Sequence, residues 1–388
     1  MTVFGTRPEA IKMAPVVLAL AADPRVRVTN VVTGQHREML DQVMQLFGIS
    51  PDVDLNIMQP GQTLSAITTR TLEGLEPVLR QHQPDVVLVQ GDTTTAFAAG
   101  LAAFYHKIPV GHVEAGLRTD DRYDPFPEEI NRRLLTTLCE MHFPPTHTSY
   151  SILRNLDVCQ SRIHLTGNTV IDALHRILAE TPPGLPGDLQ GISAESRILL
   201  VETHRRENLG KPMQDICEAL RTLVKKFTNT VLVFSVHKNP QVREVVFPAL
   251  EGLERTYLLE PVDYPVLLRL MRESTLILTD SGGIQEEAPA LGKPVLVLRR
   301  TTERPEGIEA GVSRLVGTDP ALIVEEASRL LTDPEEYRKM SQVANPYGDG
   351  RASERIVQAV LHRFGHLPER PPDFVYAPSG SELGATLK

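Results

Sequence analysis

Charged side chains recur directly after short apolar runs along this chain, and that recurrence marks where its chemistry should be sought. GTRPEAIK puts Arg7, Glu9 and Lys12 after one such run, and QGDTTT puts Asp92 after another. HVEAGLRT brings His112, Glu114 and Arg118, and DPFPEEINRR adds Glu128, Glu129, Asn131 and Arg132. Further on, ETHRREN supplies His204, Arg205, Arg206 and Glu207, and SVHKNP supplies His237. Between the runs Leu276–Leu278 and Val295–Leu298 stands Ser281-Gly282-Gly283. Glycine lets backbone N–H groups approach a ligand, and the first N–H groups of a helix carry partial positive charge. Such a turn suits a phosphate. Carboxylates, arginines and a glycine turn together point to acid–base work on an anionic ligand.

Each of these residues also has a plainer reading. Asp92 could N-cap a helix starting at Thr93, and Glu128 and Glu129 suit a first helical turn through the dipole alone. Ser281 could be an ordinary N-cap. His204 and His237 could be hydrogen-bonded loop histidines, and Arg205, Arg206 and Glu207 a solvated charge run. The plainer readings do not explain why three carboxylates and a histidine all follow strands, on the side where open α/β sheets bind ligands. Two other motifs fail on residues. GTRPEA has one glycine where a dinucleotide fingerprint needs three, and Gly292-Lys293 is followed by Pro294, which excludes a P-loop. No His, Cys or carboxylate group has metal-ligand spacing, so neither a metal nor a nicotinamide cofactor is expected.

The elements that must position these groups alternate. Thr2–Phe4, Val26–Val32, Asp85–Val89, Pro109–Val113, Met141–Phe143 and Arg162–Leu165 read as strands, with amphipathic helices at His36–Phe47 and Gln62–Arg80. From Thr181 to Ser196 the chain is rich in Pro and Gly without periodicity, a linker. Strands then resume at Arg197–Val201, Thr230–Val236, Thr256–Leu259, Thr275–Leu278, Pro294–Leu298 and Ser313–Val316, with helices at Pro320–Leu331 and Ala352–Phe364. The expected architecture is two α/β domains with doubly wound parallel sheets, 1–180 and 197–364, joined by the linker 181–196 and followed by a flexible tail, 365–388. The chain starts only four residues before Gly5, which makes the first strand short, so a few residues are expected to precede Met1. The 388 residues suffice for two cores, and a net charge of −9 argues against nucleic acid or an anionic membrane as partner. Three cysteines fit a reducing compartment, and no run is apolar enough to span a bilayer, so a cytoplasmic protein is expected.

Taken together, FGTRPEAIK, QHREMLDQ, QGDTTT, HVEAGLRT, PEEINRR, GNTVIDAL, HRREN, DSGGIQEEAPALGKPVLVLR, TTERPE and NPYGDG resemble the non-hydrolysing UDP-N-acetylglucosamine 2-epimerases. The likeness runs in order from Thr2 to about Phe364. It implies two Rossmann-like domains of the glycosyltransferase B type with the site in a central cleft, a homodimer, and no nicotinamide cofactor. The implied reaction interconverts UDP-N-acetylglucosamine and UDP-N-acetylmannosamine by eliminating UDP to 2-acetamidoglucal and adding it back. On this resemblance Asp92, Glu114, Glu128 and His204 match the catalytic positions. Arg7, Lys12, Ser281, Gly282, Gly283, Glu287 and Arg304 match substrate-binding ones. Some members are activated by a second UDP-N-acetylglucosamine, and Gln35, His36, Glu129, Arg206 and His237 fall in that region; Gly61 stands where activated members carry an arginine.

Other departures are Glu202, where a small or hydroxyl residue is more usual, Arg300 in place of Asp or Asn, and Leu267 in place of a phenylalanine. A UDP-sugar glycosyltransferase and a hydrolysing 2-epimerase are the rival enzyme readings. A two-lobed ligand-binding protein is the rival from another class.

Overall fold

The computed structural model describes residues 1–34, 37–59, 61–119 and 121–377. The chain forms two compact units, Met1–Ala173 with Gly348–Val375, and Leu174–Tyr347.

In the first unit the order is β1 (Thr2–Phe4), α1 (Arg7–Ala22), β2 (Asn30–Val32), α2 (Arg37–Phe47), β3 (Val53–Asp54), α3 (Leu64–His82), β4 (Val87–Gln90), α4 (Thr94–Tyr105), β5 (Val110–Val113), α5 (Glu128–Leu138), β6 (Met141–Phe143), α6 (His147–Asn155) and the first turn of α7 (Thr169–Glu180), whose remainder from Leu174 belongs to the second unit. Among the described residues the strands make one parallel sheet, β3-β2-β1-β4-β5-β6. Val3, Val31, Val87 and Val89 pack with Leu75, Leu79, Ala96, Ala99 and Leu135 of the covering helices. Strands buried on both faces explain why they read as continuous apolar runs. The winding direction reverses beside β1, so the crevice at the carboxyl ends of β1 and β4 is a topological switch point, where such sheets bind ligands.

The second unit repeats the plan. It contains β7 (Arg197–Thr203), α8 (Lys211–Lys226), β8 (Thr230–Val236), α9 (Pro240–Leu250), β9 (Thr256–Leu259), α10 (Tyr264–Glu273), β10 (Leu276–Thr279), α11 (Gly282–Glu287), β11 (Val295–Val297), α12 (Pro305–Glu309), β12 (Ser313–Leu315), α13 (Pro320–Thr332) and α14 (Pro334–Ser341). Its parallel sheet runs β12-β11-β10-β7-β8-β9, with the switch point between β7 and β10.

Three segments differ from the sequence reading. The helix α15 (Ala352–Arg363) belongs to the first unit, not the second. The carboxylate of Asp172 accepts the N–H groups of Ala352 (3.1 Å) and Ser353 (2.8 Å), capping the helix where it meets α7. Part of the expected loose tail is docked on the same unit: Leu165 N donates to Asp373 (3.0 Å), and Phe374 N donates to Leu165 O (2.7 Å). Residues 378–388 lie outside the described residues. The Pro/Gly-rich stretch is packed rather than free, with Arg269 donating to Gly184 O (2.9 Å) and Arg272 to Pro182 O (2.7 Å). Two strands also shrink. The Val26–Val32 run pairs only from Asn30, and Arg162–Leu165 contributes a single bridge, His142 to Ile163.

Gly5, after β1, admits no side chain, since a Cβ there would stand 1.9 Å from Thr33 Oγ1 and 2.9 Å from Thr95 Oγ1. Those two hydroxyls are hydrogen-bonded to each other at 3.1 Å in the core. Gly5→Ala is therefore expected to lower stability by about 2 kcal/mol through overpacking, measurable as a lowered midpoint in urea denaturation.

Candidate active site

In the first unit the groups gather around the turns after β1, β4 and β5. Arg7 opens α1 and is half-buried. Two residues on, the buried Glu9 carboxylate accepts Gly5 N (3.0 Å), Thr6 N (2.8 Å) and the Thr93 hydroxyl (2.6 Å), tying the β1–α1 turn to the β4–α4 turn. Burial pushes the Glu9 carboxyl up, against those hydrogen bonds.

The bland reading of Asp92 does not hold, because Thr93 is the N-cap of α4, its hydroxyl accepting Ala96 N (3.0 Å). Asp92 instead meets Arg132 of α5, with Nη2 to Oδ2 at 2.6 Å, and its carbonyl accepts the Asn131 amide at 2.9 Å. Its side chain keeps 27 % exposure, so the carboxylate is braced yet reachable.

Glu114 follows β5 with φ +63°, left-handed backbone that is costly for a residue with a side chain. Its nearly buried carboxylate takes the Lys12 ammonium and the Gln90 amide, and Asn168 Nδ2 stands 3.4 Å away. The Glu114 carboxylate also comes within 3.8 Å of where a Cβ on Gly91 would be, so Asp92 and Glu114 flank the same glycine. Beneath the turn, the buried His112 lies 2.7 Å by Nε2 from Gly91 O. Burial lowers this histidine to about 4, so at neutral pH it is an uncharged brace that donates from Nε2.

Glu128 begins α5 and is half-buried. Its neighbour Glu129 has no exposed side-chain surface, and its oxygens accept Thr119 N (3.0 Å) and Arg133 Nε (2.6 Å), with Arg132 at 3.4 Å. Glu129 therefore holds the segment before α5 in place. Gln35 and His36 lie outside the described residues.

In the second unit the convergence is cationic. A Cβ on Gly282 would lie 3.8 Å from both Arg205 Nη2 and Arg304 Nη2, so two guanidinium groups from separate loops meet over the glycine turn. Ser281 stands at the N-cap position of α11 as the plainer reading has it, but among the described residues its side chain makes no cap bond. Arg304 Nε is held by Glu286, and Arg205 Nε is buried without a hydrogen-bond partner among the described residues. Glu287 is buried and accepts the Tyr264 hydroxyl. Asp280, fully buried, orders the β7 loop by accepting His204 N (3.0 Å), Arg205 N (3.1 Å) and Asn208 Nδ2 (2.8 Å). Burial raises the Asp280 carboxyl, opposed by those donors.

His204 is bonded through Nδ1 to Glu202 at 2.9 Å, and its ring centroid is 6.0 Å from that of His237. His237 and Arg206 are exposed. Among the described residues, Glu202, His204 and Asp280 bring donor atoms within 4.8 Å of one another, the spacing a cation would need. With Asp280 engaged by three N–H donors and Glu202 bonded to the imidazole, the group reads as a proton-holding pair rather than a metal cage.

Sequence reasoning passed over Gln90, Asn168 and Asp280. Their signal was position: Gln90 ends β4 and Asp280 follows β10, both beside a switch point. A cavity of about 460 Å³ in the first unit, lined by Met1, Thr29, Val86 and Phe364, lies instead at the amino ends of the strands. It is remote from these carboxylates.

Two six-stranded parallel sheets of this order, one with guanidinium groups over a glycine turn and the other with carboxylates at its switch point, match the α/β two-domain architecture of the glycosyltransferase B type. The UDP-N-acetylglucosamine 2-epimerase family model matches residues 18–361. A UDP-N-acetylglucosamine 2-epimerase of Escherichia coli K12 is 55 % identical over 366 residues, 93 % of this chain and 97 % of the relative. The Neisseria meningitidis UDP-GlcNAc 2-epimerase, solved bound to UDP-GlcNAc, has a TM-score of 0.83 at 48 % identity, covering 93 % of this chain and 99 % of its own. An S. aureus protein solved with UDP gives 0.86 at 48 % identity, covering 97 % and 99 %. The chain belongs to the UDP-N-acetylglucosamine 2-epimerase family.

Proposed function

We propose that this protein interconverts UDP-N-acetylglucosamine and UDP-N-acetylmannosamine at carbon 2, without nicotinamide or metal. The observation that carries this reading is the division of labour between the switch points. Arg205 and Arg304 over Gly282 suit a diphosphate, whereas Asp92 and Glu114 about Gly91 suit proton transfer. A carboxylate takes the carbon-2 proton, and the bond from carbon 1 to the diphosphate oxygen breaks with its electron pair leaving on UDP. The 2-acetamidoglucal that results takes UDP back with a proton delivered to the opposite face.

Asp92 and Glu114 are the acid–base candidates, and Glu128 assists. Lys12, bonded to Glu114, supports that carboxylate's charge in addition to its expected contact with the nucleotide. Arg7, His204, Arg304 and the N–H groups after Ser281 stabilise the charge on the departing UDP. Glu287 is the ribose partner.

Proton NMR of the purified protein with UDP-N-acetylglucosamine in heavy water tests the reading. UDP-N-acetylmannosamine carrying deuterium at carbon 2 is expected; free N-acetylmannosamine plus UDP would convert the assignment to the hydrolysing reaction, and an unchanged spectrum would overturn it. Arg205→Ala is expected to weaken UDP binding about thirtyfold in calorimetry, the loss of one charge-assisted contact.

We also propose a homodimer, supported by the exposed Phe104 and Tyr105 at the end of α4 and Leu134 on α5, large apolar groups on two packed helices. Sedimentation equilibrium would read it. A cytoplasmic setting suits the three free cysteines. Among the described residues no helix is long and apolar enough to cross a membrane.

A further inference from the structure

Glu202 and His204 stand two positions apart at the end of β7, so their side chains leave the strand on the same face. Glu202 Oε1 lies 2.9 Å from His204 Nδ1. The second oxygen of Glu202 is 3.4 Å from the Thr279 hydroxyl on the neighbouring strand, which steadies the carboxylate. Asp280 is the competing anion, but its oxygen is 3.6 Å from Nδ1 and it already serves three N–H donors. A carboxylate can only accept here, so Nδ1 carries a proton. The other ring nitrogen, Nε2, belongs to a side chain that is 35 % exposed.

We infer that Glu202 is a positioning residue, holding the His204 ring with Nδ1–H turned toward it and the Nε2 edge presented as a donor to the diphosphate. This rests on His204 being a partner of UDP, as proposed above. The reasoning is an account of protons. With Nδ1–H committed to Glu202, a neutral ring would offer a lone pair at Nε2 and repel a phosphate oxygen; only the doubly protonated ring donates at both ends. The charge must therefore be kept on the ring while UDP is bound and while it departs.

The groups facing the imidazole are Glu202 on β7, Asp280 after β10, Arg205 in its own loop and His237 after β8. The hydrogen bond from Glu202 raises the proton affinity of His204, burial opposes it, Asp280 adds to it and Arg205 subtracts. Because the ring's affinity for its proton is raised, UDP binding should persist to higher pH than an ordinary histidine would allow. It should then fall as pH rises through the histidine's own midpoint.

The test is nitrogen-15 NMR of the His204 ring in ligand-free wild type, Glu202→Gln and Glu202→Asp, with UDP affinity measured by calorimetry from acid to mildly alkaline pH. In wild type Nδ1 should be protonated and the ring should titrate above an ordinary histidine. In Glu202→Gln, which keeps the shape and removes the charge, the midpoint should fall by about one unit. UDP affinity should then drop about tenfold at alkaline pH while staying within about twofold of wild type in mild acid. Glu202→Asp should restore part of the shift. A Glu202→Gln ring that titrates as in wild type, or a loss of UDP affinity equal at every pH, would overturn the inference and leave Glu202 a structural residue. An inactive wild type in heavy water would overturn the proposed reaction, whereas an active one with an unmoved Glu202→Gln titration overturns this inference alone.

Discussion

Asp92→Asn should lower kcat by about a thousandfold and leave KM within a few-fold of wild type. The size follows from removing a general acid–base group, which contributes about 10²–10⁴-fold. The pattern follows from where the groups sit. Asp92 belongs to the first unit and the cationic turn over Gly282 to the second, so the substitution leaves the diphosphate partners intact. The fold should persist at some cost in stability, since the α4 cap is Thr93 and asparagine keeps an oxygen for Arg132 but loses the charge of that pair. Steady-state kinetics with an unfolding curve for each protein would check it. A variant that kept kcat within threefold would move the acid–base role to Glu114. If both carboxylates act in one step, the double variant with Glu114→Gln should be little worse than either alone.

Acid should destabilise the first unit steeply through three histidines that take no direct part in the proposed chemistry. His112 and His142 are register partners on β5 and β6, and His164 follows the bridge at Ile163. All three are buried, each with Nδ1 unpartnered among the described residues. Burial lowers them to about 4, about 3 and about 4 respectively from an ordinary 6.5. A folded value below the unfolded one means that the unfolded chain binds protons first. The stabilising contribution is therefore complete above pH 6.5 and declines as pH falls toward 4. Between those limits each histidine adds about 1.4 kcal/mol per pH unit to the slope of stability against pH.

Glu9 and Asp172, raised by burial, work in the opposite sense, so the slope of a variant against wild type is the cleaner reading. His164→Gln should flatten the slope near pH 5 by about one proton's worth, whatever it does to stability at pH 7. Urea denaturation at closely spaced pH values would measure it, and a parallel pair of curves would refute the assignment.

Much of this site was legible in the sequence because strand ends in a doubly wound sheet are readable from apolar runs, and the ligand side follows from topology. Asp92, Glu114 and the Ser281 turn all sit where that logic puts them. What it could not supply was the partner of each charge. Glu128 and Glu129 are adjacent and chemically alike, yet Glu129 is fully buried under three donors because its side chain faces inward from α5. Periodicity likewise found the helix at Ala352 but not the unit it joins, since an amphipathic face does not say what will cover it. That helix packs against α1, and Asp172, 180 residues away in sequence, caps its first turn. Asp280 was hidden for a similar reason: its role is to order another loop, and only three-dimensional pairing reveals it.

Glu114 sits at φ +63° with its carboxylate bonded to Lys12 and Gln90. Glycine or asparagine would occupy that backbone more cheaply, by about 1–2 kcal/mol for the left-handed conformation. The protein thus carries a standing thermodynamic debt at one of its two proposed proton-transfer positions. A library of variants selected for heat resistance alone would be drawn toward replacing this residue, and its hardiest survivors would be the inert ones.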